Sequence, residues 1–312
     1  MSSNRKLSAA QPQTRASAKA AASILAAGCL WGTVGVFVRY LTGLGYSPLT
    51  IVFARMSIAF VILAAVLFAA GRRGLFRVKL KDLWCFVGTG VSSAIVLNLF
   101  FSMSTVMNPL SLAAILLATA PIFVVLISAA IFKERITAIK LYALIIAFSG
   151  AVLTGGIVGS AAAFSGKGFA VGLLAGFGYA LYSIFTRFAL NRGYGALTVN
   201  LYSFLIGSAV CAPFANFSII FHSIAAAPLL TAAVLLLHTL FTSLLPYVLY
   251  TYGMQYMDTG KASILVSVEP VAATVFGTAL YGEIPSAPAF AGIALVLFAI
   301  TLLNLPPRPG KR

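Results

Sequence analysis

The sequence predicts an all-α, polytopic membrane protein with ten transmembrane helices arranged as a 5 + 5 inverted-topology repeat. Three observations carry that prediction. Apolar residues fall in a train of runs of about 18 or more, each long enough to cross a hydrocarbon core of about 30 Å at 1.5 Å per helical residue. Lysine and arginine are confined almost wholly to alternate loops and the two tails. Matching residues recur at a near-constant spacing in the two halves of the chain.

Composition identifies the solvent. Of 312 residues, 61% are hydrophobic and 8% charged, against roughly 25% charged in soluble domains, and the mean hydropathy is +1.04. Helices are required, because the runs lack the alternation of barrel strands and the bilayer core offers backbone amides no water. The net charge of +16 does not imply a nucleic-acid partner, since the cations form no stripe on a folded surface. Cys29, Cys85 and Cys211 fall inside apolar runs without ligand spacing, so they read as small core residues. No metal or cofactor is expected.

The elements follow from apolar length and from charged or Gly/Pro breaks. Residues 1–19 form a polar, basic tail. The next run exceeds the roughly 7–15 residues of a signal-peptide core, so 20–41 is read as a retained first span. Spans near 46–70, 83–104, 109–131 and 138–156 complete a first half, residues 20–156. Spans near 168–188, 196–220, 229–254, 262–281 and 287–305 form the second half, residues 168–305, and 306–312 is a short basic tail.

Charge sets the orientation. With both tails in the cytoplasm, 18 of the 21 basic residues lie inside; Arg39 and Lys167 lie outside and Arg55 within a span. The positive-inside rule then predicts a multi-pass protein with both termini cytoplasmic.

The fourth span and its exit contain Ile115-Leu116, Pro121 and Glu134, and the ninth contains Ile264-Leu265, Pro270 and Glu283, each 149 residues further on. Gly28, Trp31, Phe37 and Arg39 of the first span line up with Gly176, Tyr179, Phe185 and Arg187 of the sixth at an offset of 148. An odd number of spans per half makes the second half enter from the other face. Two nearly equivalent halves can exchange conformations and expose a central site to each side in turn. A duplication kept only for packing is the other reading.

These residues resemble the EamA-type transporters of the drug/metabolite transporter superfamily. The likeness rests on Leu30-Trp31-Gly32, Arg55, Ala114-Ile115-Leu116-Leu117 with Pro121 and Lys133-Glu134-Arg135, and Val268-Glu269-Pro270-Val271 with Gly282-Glu283. It covers about residues 20–305. The resemblance implies a secondary transporter of the bacterial cytoplasmic (inner) membrane, working by alternating access and commonly exporting amino acids or similar small metabolites. It also implies a central cavity bounded by spans 1, 3, 4, 6, 8 and 9, with the second span peripheral. The alternatives are an uptake permease or facilitator for another metabolite or drug-like compound, or a channel.

Glu269 is the only carboxylate within a predicted span, where a charge costs about 2.5–3.5 kcal/mol on insertion scales. It reads either as a proton site or ammonium partner, or as a structural group holding Arg55 or capping the break at Pro270. Arg55, the only cation deep in a span, suits bidentate capture of a carboxylate or a structural or gating role. Pro121, Pro246 and Pro270 each remove a backbone hydrogen bond and read as helix breaks. Trp31, Asn98, Tyr179, Tyr182, Tyr247 and Tyr250 fall on spans that the resemblance assigns to the cavity and offer stacking faces and hydrogen bonds. Simple helix packing is the other reading of each. His238 is a proton-relay candidate or a hydrogen-bonded packing residue.

Gly28 and Gly32, and Gly172 and Gly176, are small residues four apart that suit close helix approach. Glu134 and Glu283 are expected at span ends, bonded to loop backbone or nearby cations. The sequence shows no paired aspartates, Ser–His pair or Gly-rich phosphate loop, so an enzyme is not expected. The expected partners are a small-molecule substrate and the lipid bilayer, with proton coupling an open option; oligomeric state is not legible.

Overall fold

The computed structural model of the chain describes residues 4–107, 110–154, 166–282 and 285–304. Among them nine helices are long and apolar enough to cross a membrane, α1 (Ser17–Gly43), α2 (Pro48–Ala69), α3 (Leu80–Ser104), α4 (Ala113–Phe132), α6 (Gly166–Asn191), α7 (Ala196–Phe214), α8 (Pro228–Met254), α9 (Thr259–Tyr281) and α10 (Ala287–Asn304), and a shorter apolar helix of 17 residues, α5 (Ala138–Thr154), occupies the place of the fifth predicted span. No strand occurs among the described residues. This is the ten-helix, two-repeat membrane fold that the apolar runs predict. The helical run containing α1 begins at Asn4, ahead of the apolar span.

Helix ends follow local chemistry. Ser47 caps α2 by accepting from Thr50 N at 3.3 Å, with Pro48 in the first turn where no N–H is needed. α4 ends on Lys133 at φ 58° and α9 on Gly282 at φ 66°, positions related by the repeat. The seventh span stops earlier than its apolar length suggests. Pro213 falls in a 3-10 turn, Ala212–Phe214, and Asn216 then caps a separate short helix, Phe217–Ala226, by accepting from Ile219 N at 3.3 Å.

Five of the ten spans are irregular part-way along their length, and four of the irregularities obey the repeat. α4 is interrupted at Ala118-Thr119 and α9 by a 3-10 turn at Val266–Val268. α3 and α8 carry π-helical segments at Ser92–Val96 and Leu240–Leu244, 148 positions apart. The fifth, the interruption of α1 at Gly32-Thr33, has no counterpart in the continuous α6. Pro121 and Pro270 are not kinks inside a helix. Each is the second residue of the half-helix beyond a break, Ala120–Phe132 or Glu269–Tyr281, where a missing N–H is harmless.

Glycines let the broken helices nest. A Cβ at Gly28 would lie 2.5 Å from Val268 Cγ1 and 3.0 Å from the Val266 carbonyl oxygen; one at Gly176 would lie 2.6 Å from Thr119 Oγ1 and 2.8 Å from the Leu116 carbonyl oxygen. Each half's leading helix therefore packs against the break in the other half's fourth helix, α1 on α9 and α6 on α4. α5 and α10 pair at Gly150 and Gly292, where a Cβ on Gly150 would meet the Gly292 carbonyl at 2.7 Å.

Outward faces carry Val61, Phe68, Leu126, Tyr142 and Phe298, all exposed, as a lipid-solvated surface requires. Cys85 and Cys211 are buried as expected, but Cys29 is exposed. It occupies the outward side of α1, one residue beyond the glycine face that meets α9, so it is not a core residue.

Candidate functional site

Where the breaks of α4 and α9 meet α6 and α8, a cavity of ≈ 10 Å³ is lined by Ala120, Pro121, Val124, Tyr179, Ser183, Tyr250, Ser263 and Val266. That is barely the room one water needs. Three of the lining residues come from the segments around the α4 break and two from around the α9 break, so the repeat axis passes close to this space.

Tyr179 and Tyr250 line this space and belong to a larger aromatic cluster. Trp31 meets Tyr179 and Tyr247 edge-on at centroid distances of 6.0 and 5.3 Å, and Tyr250 at 5.5 Å. Tyr182 lies 5.1 Å from Tyr247. Such edge-to-face contacts each contribute about 0.5–1.5 kcal/mol beyond area burial. Tyr250 OH and Ser183 Oγ are 2.9 Å apart, and Tyr182 OH and Thr251 Oγ1 3.3 Å. The buried Tyr179 hydroxyl has no hydrogen-bond partner among the described residues.

Pro246 shapes the adjoining polar region. It has no N–H to offer the Thr242 carbonyl four residues earlier. That oxygen instead accepts from Trp31 Nε1 at 3.2 Å and, at a longer 3.4 Å, from Arg55 Nη1. Arg55 is buried, 7% exposed. Among the described residues its Nε has no partner and no carboxylate lies within ion-pair distance.

Glu269 opens the second half-helix of α9. Its electrostatic neighbours include Tyr179 and Tyr247. It makes no ion pair with Arg55, so the two intramembrane charges do not hold each other as one reading of the sequence has it.

One end of the bundle, the end carrying the basic loops, is latched by charge. Glu134, just past α4, accepts from Thr259 N at 2.8 Å and Gly260 N at 3.1 Å, capping α9 with a carboxylate. Lys140 bridges Asp258 at 2.8 Å and approaches Glu134 at 4.0 Å. Arg187 donates to Thr259 Oγ1 at 2.7 Å and to the Met257 carbonyl. Beside it a cleft of ≈ 220 Å³ is lined by Arg187, Leu190, Asn191, Gly193, Tyr194, Gly195 and Gln255. At the opposite end Arg39, the repeat mate of Arg187, stacks 4.4 Å from the Tyr281 ring, and Tyr281 OH donates to the Val36 carbonyl at 3.3 Å. Glu283 lies outside the described residues.

The structure thus gathers Trp31, Tyr179, Tyr182, Tyr247 and Tyr250, with Arg55 and Glu269 beside them. Asn98 donates its amide to the Ser93 carbonyl of its own helix at 2.7 Å. His238 is fully buried with its ring 5.4 Å from Phe37, and neither ring nitrogen has a partner among the described residues, so it is not hydrogen-bonded packing. Sequence reasoning passed over Ser183, which helical spacing places one turn from Tyr179, and the Thr242 carbonyl, which carries no side-chain signal.

Ten membrane helices in two like halves, whose broken fourth helices meet at a small space, define a polytopic membrane protein of transporter architecture. The chain belongs to the EamA-like transporter family, within the drug/metabolite transporter superfamily; the family profile matches twice, over residues 18–156 and 166–305. An Archaeoglobus fulgidus protein named as an uncharacterized transporter is 27% identical over 88% of this chain and 94% of its own. A Streptantibioticus cattleyicolor protein named a probable terminal-alkyne amino-acid exporter is 26% identical, over 83% of this chain and 85% of its own. A crystal structure superposes with a TM-score of 0.73 at 17% identity, covering 91% of this chain and 96% of that one. At that identity the likeness speaks for the fold alone.

Proposed function

We propose that this transporter exports amino acids or similar small metabolites from the cytoplasm across the bacterial cytoplasmic membrane by alternating access, with both termini cytoplasmic. The observation that carries the proposal is the small space at the paired breaks of α4 and α9, lined by Tyr179, Ser183 and Tyr250. Carriers built from inverted repeats bind their substrate where broken helices of the two halves meet. The positive-inside rule puts the end holding Arg187, Glu134 and Asp258 in the cytoplasm, so the ≈ 220 Å³ cleft there is the inner vestibule. The Streptantibioticus relative, named a probable terminal-alkyne amino-acid exporter, supports an amino-acid cargo leaving the cell.

Glu269 is the coupling group in this reading. One carboxylate binding a proton from outside and an ammonium from inside, in alternation, exchanges the two across the membrane. The test is a resistance screen: cells overproducing the protein are challenged with toxic amino-acid analogues. Resistance to a subset, with lowered intracellular analogue, is the expected result. Heightened sensitivity instead would mark uptake.

A further inference from the structure

We propose that the link between α2 and α3 is a docking site for anionic phospholipid headgroups, in which five cations at the basic end of the bundle take the lipid phosphates and exposed apolar side chains beside them meet the acyl chains.

Charge sets the problem. Arg72, Arg73, Arg77, Lys79 and Lys81 fall within ten residues, and all five are exposed. None of them forms an ion pair among the described residues. Asp82, the one acid of the segment, is occupied elsewhere: it accepts from Arg192 Nε at 3.0 Å and from Tyr194 OH at 2.8 Å. Like charges crowded together repel, and a merely solvated connector relieves the repulsion by extending.

This link is held in place instead. Tyr202 OH donates to the Phe76 carbonyl at 2.7 Å and Thr198 Oγ1 to the Leu75 carbonyl at 3.0 Å, tying it to α7. Lys79 N donates to Tyr194 OH at 3.1 Å, tying it to the turn between α6 and α7. Bonds from neighbouring elements thus fix the backbone that carries the cations, and the counter-charge has to come from outside the chain.

Apolar neighbours say what kind of partner brings it. Phe68, in the last turn of α2, is 61% exposed, and the Arg73 guanidinium lies 4.9 Å from its ring. Leu80, between Lys79 and Lys81, is 83% exposed, and Trp84 at the start of α3 is exposed as well. Nucleic acid would match the cations and leave these side chains in water. A phospholipid carries its phosphate directly above hydrocarbon, the same order in which guanidinium and ring are layered at Arg73 and Phe68, and Trp84 has the position of an interfacial aromatic. Cationic segments that adjoin a span draw anionic lipids over a short, salt-screened range.

The test reconstitutes the full chain in bilayers of phosphatidylcholine and phosphatidylglycerol, with bromine on the acyl chains of one lipid or the other. Quenching of Trp84, isolated by difference from Trp84→Phe, reports which lipid sits at the link. Phosphatidylglycerol is expected there at roughly fivefold over its share of the bilayer. Replacing all five cations by glutamine returns it to that share, while Lys133→Gln with Arg135→Gln, which removes two exposed cations of another loop at the same end, leaves the preference intact. Equal quenching by the two lipids in the wild-type chain, a preference that survives loss of the five cations, or an equal fall in the Lys133 and Arg135 variant overturns the inference. Should the five-site variant fail to insert, Lys79→Gln with Lys81→Gln is expected to lower the preference without abolishing it, and an unchanged preference there is equally contradictory.

Discussion

At the scale of residues, the membrane interior holds very few charges, and their isolation gives each one weight. Insertion of a lone carboxylate at mid-depth costs about 2.5–3.5 kcal/mol, and Glu269 recovers none of that from Arg55. Replacement by glutamine removes the proton site while keeping the shape. Glu269→Gln is expected to slow substrate exit and to flatten its dependence on external pH, read as efflux from loaded proteoliposomes across a pH series. An unaltered rate and pH profile would take Glu269 out of coupling. The sequence exposed Glu269 and Arg55 plainly, because ionisable residues inside apolar runs stand out. It did not expose how each is held. Arg55 leans on a backbone oxygen freed by a proline nearly two hundred positions away, and Asn98 spends its amide within its own helix. Contacts of that kind depend on which faces of α2, α3 and α8 meet, and apolar periodicity in nearly all-apolar helices carries little information about facing.

At the scale of elements, the repeat governs where helices break. The interruptions in α4 and α9 sit one turn ahead of Pro121 and Pro270, and were legible through those prolines. The π segments of α3 and α8 were not. They coincide with hydroxyls turned back on the helix, such as Thr242 Oγ1 donating to the His238 carbonyl at 2.7 Å, a habit that bends helices without any proline. The interruption of α1 was also hidden, since Gly32 reads as a packing residue until Ala272 is found against it. α9 begins under the Glu134 carboxylate, which satisfies two of its orphan N–H groups. Loss of such a cap costs about 0.5–2 kcal/mol, or up to roughly thirtyfold in a closed-to-open ratio. Glu134→Ala should therefore unlatch the basic end. The measurement is the rate at which a membrane-impermeant thiol reagent, applied from that side, labels Ser263→Cys in the cavity wall on a background lacking the native cysteines. Faster labelling by severalfold is expected, and an unchanged rate would show that Glu134 caps α9 without gating it.

At the scale of the whole molecule, two homologous bundles enclose one small space, and each leading helix nests in the other half's broken helix. This cross-packing joins the halves at two like contacts, α1 on α9 at Gly28 and α6 on α4 at Gly176. The ten spans and the duplication were legible because lipid demands long apolar helices and duplication leaves fixed offsets. Cargo was not legible, since it is chosen by a handful of groups brought together from separate helices. Alternating access is the claim on which cargo, coupling and gating all depend, and counterflow tests it most directly. Proteoliposomes preloaded with the amino acid identified by the resistance screen should take up its labelled form faster than empty ones, with a transient accumulation above the external level. Uptake at the same rate with and without internal substrate would contradict a carrier and describe an open pore.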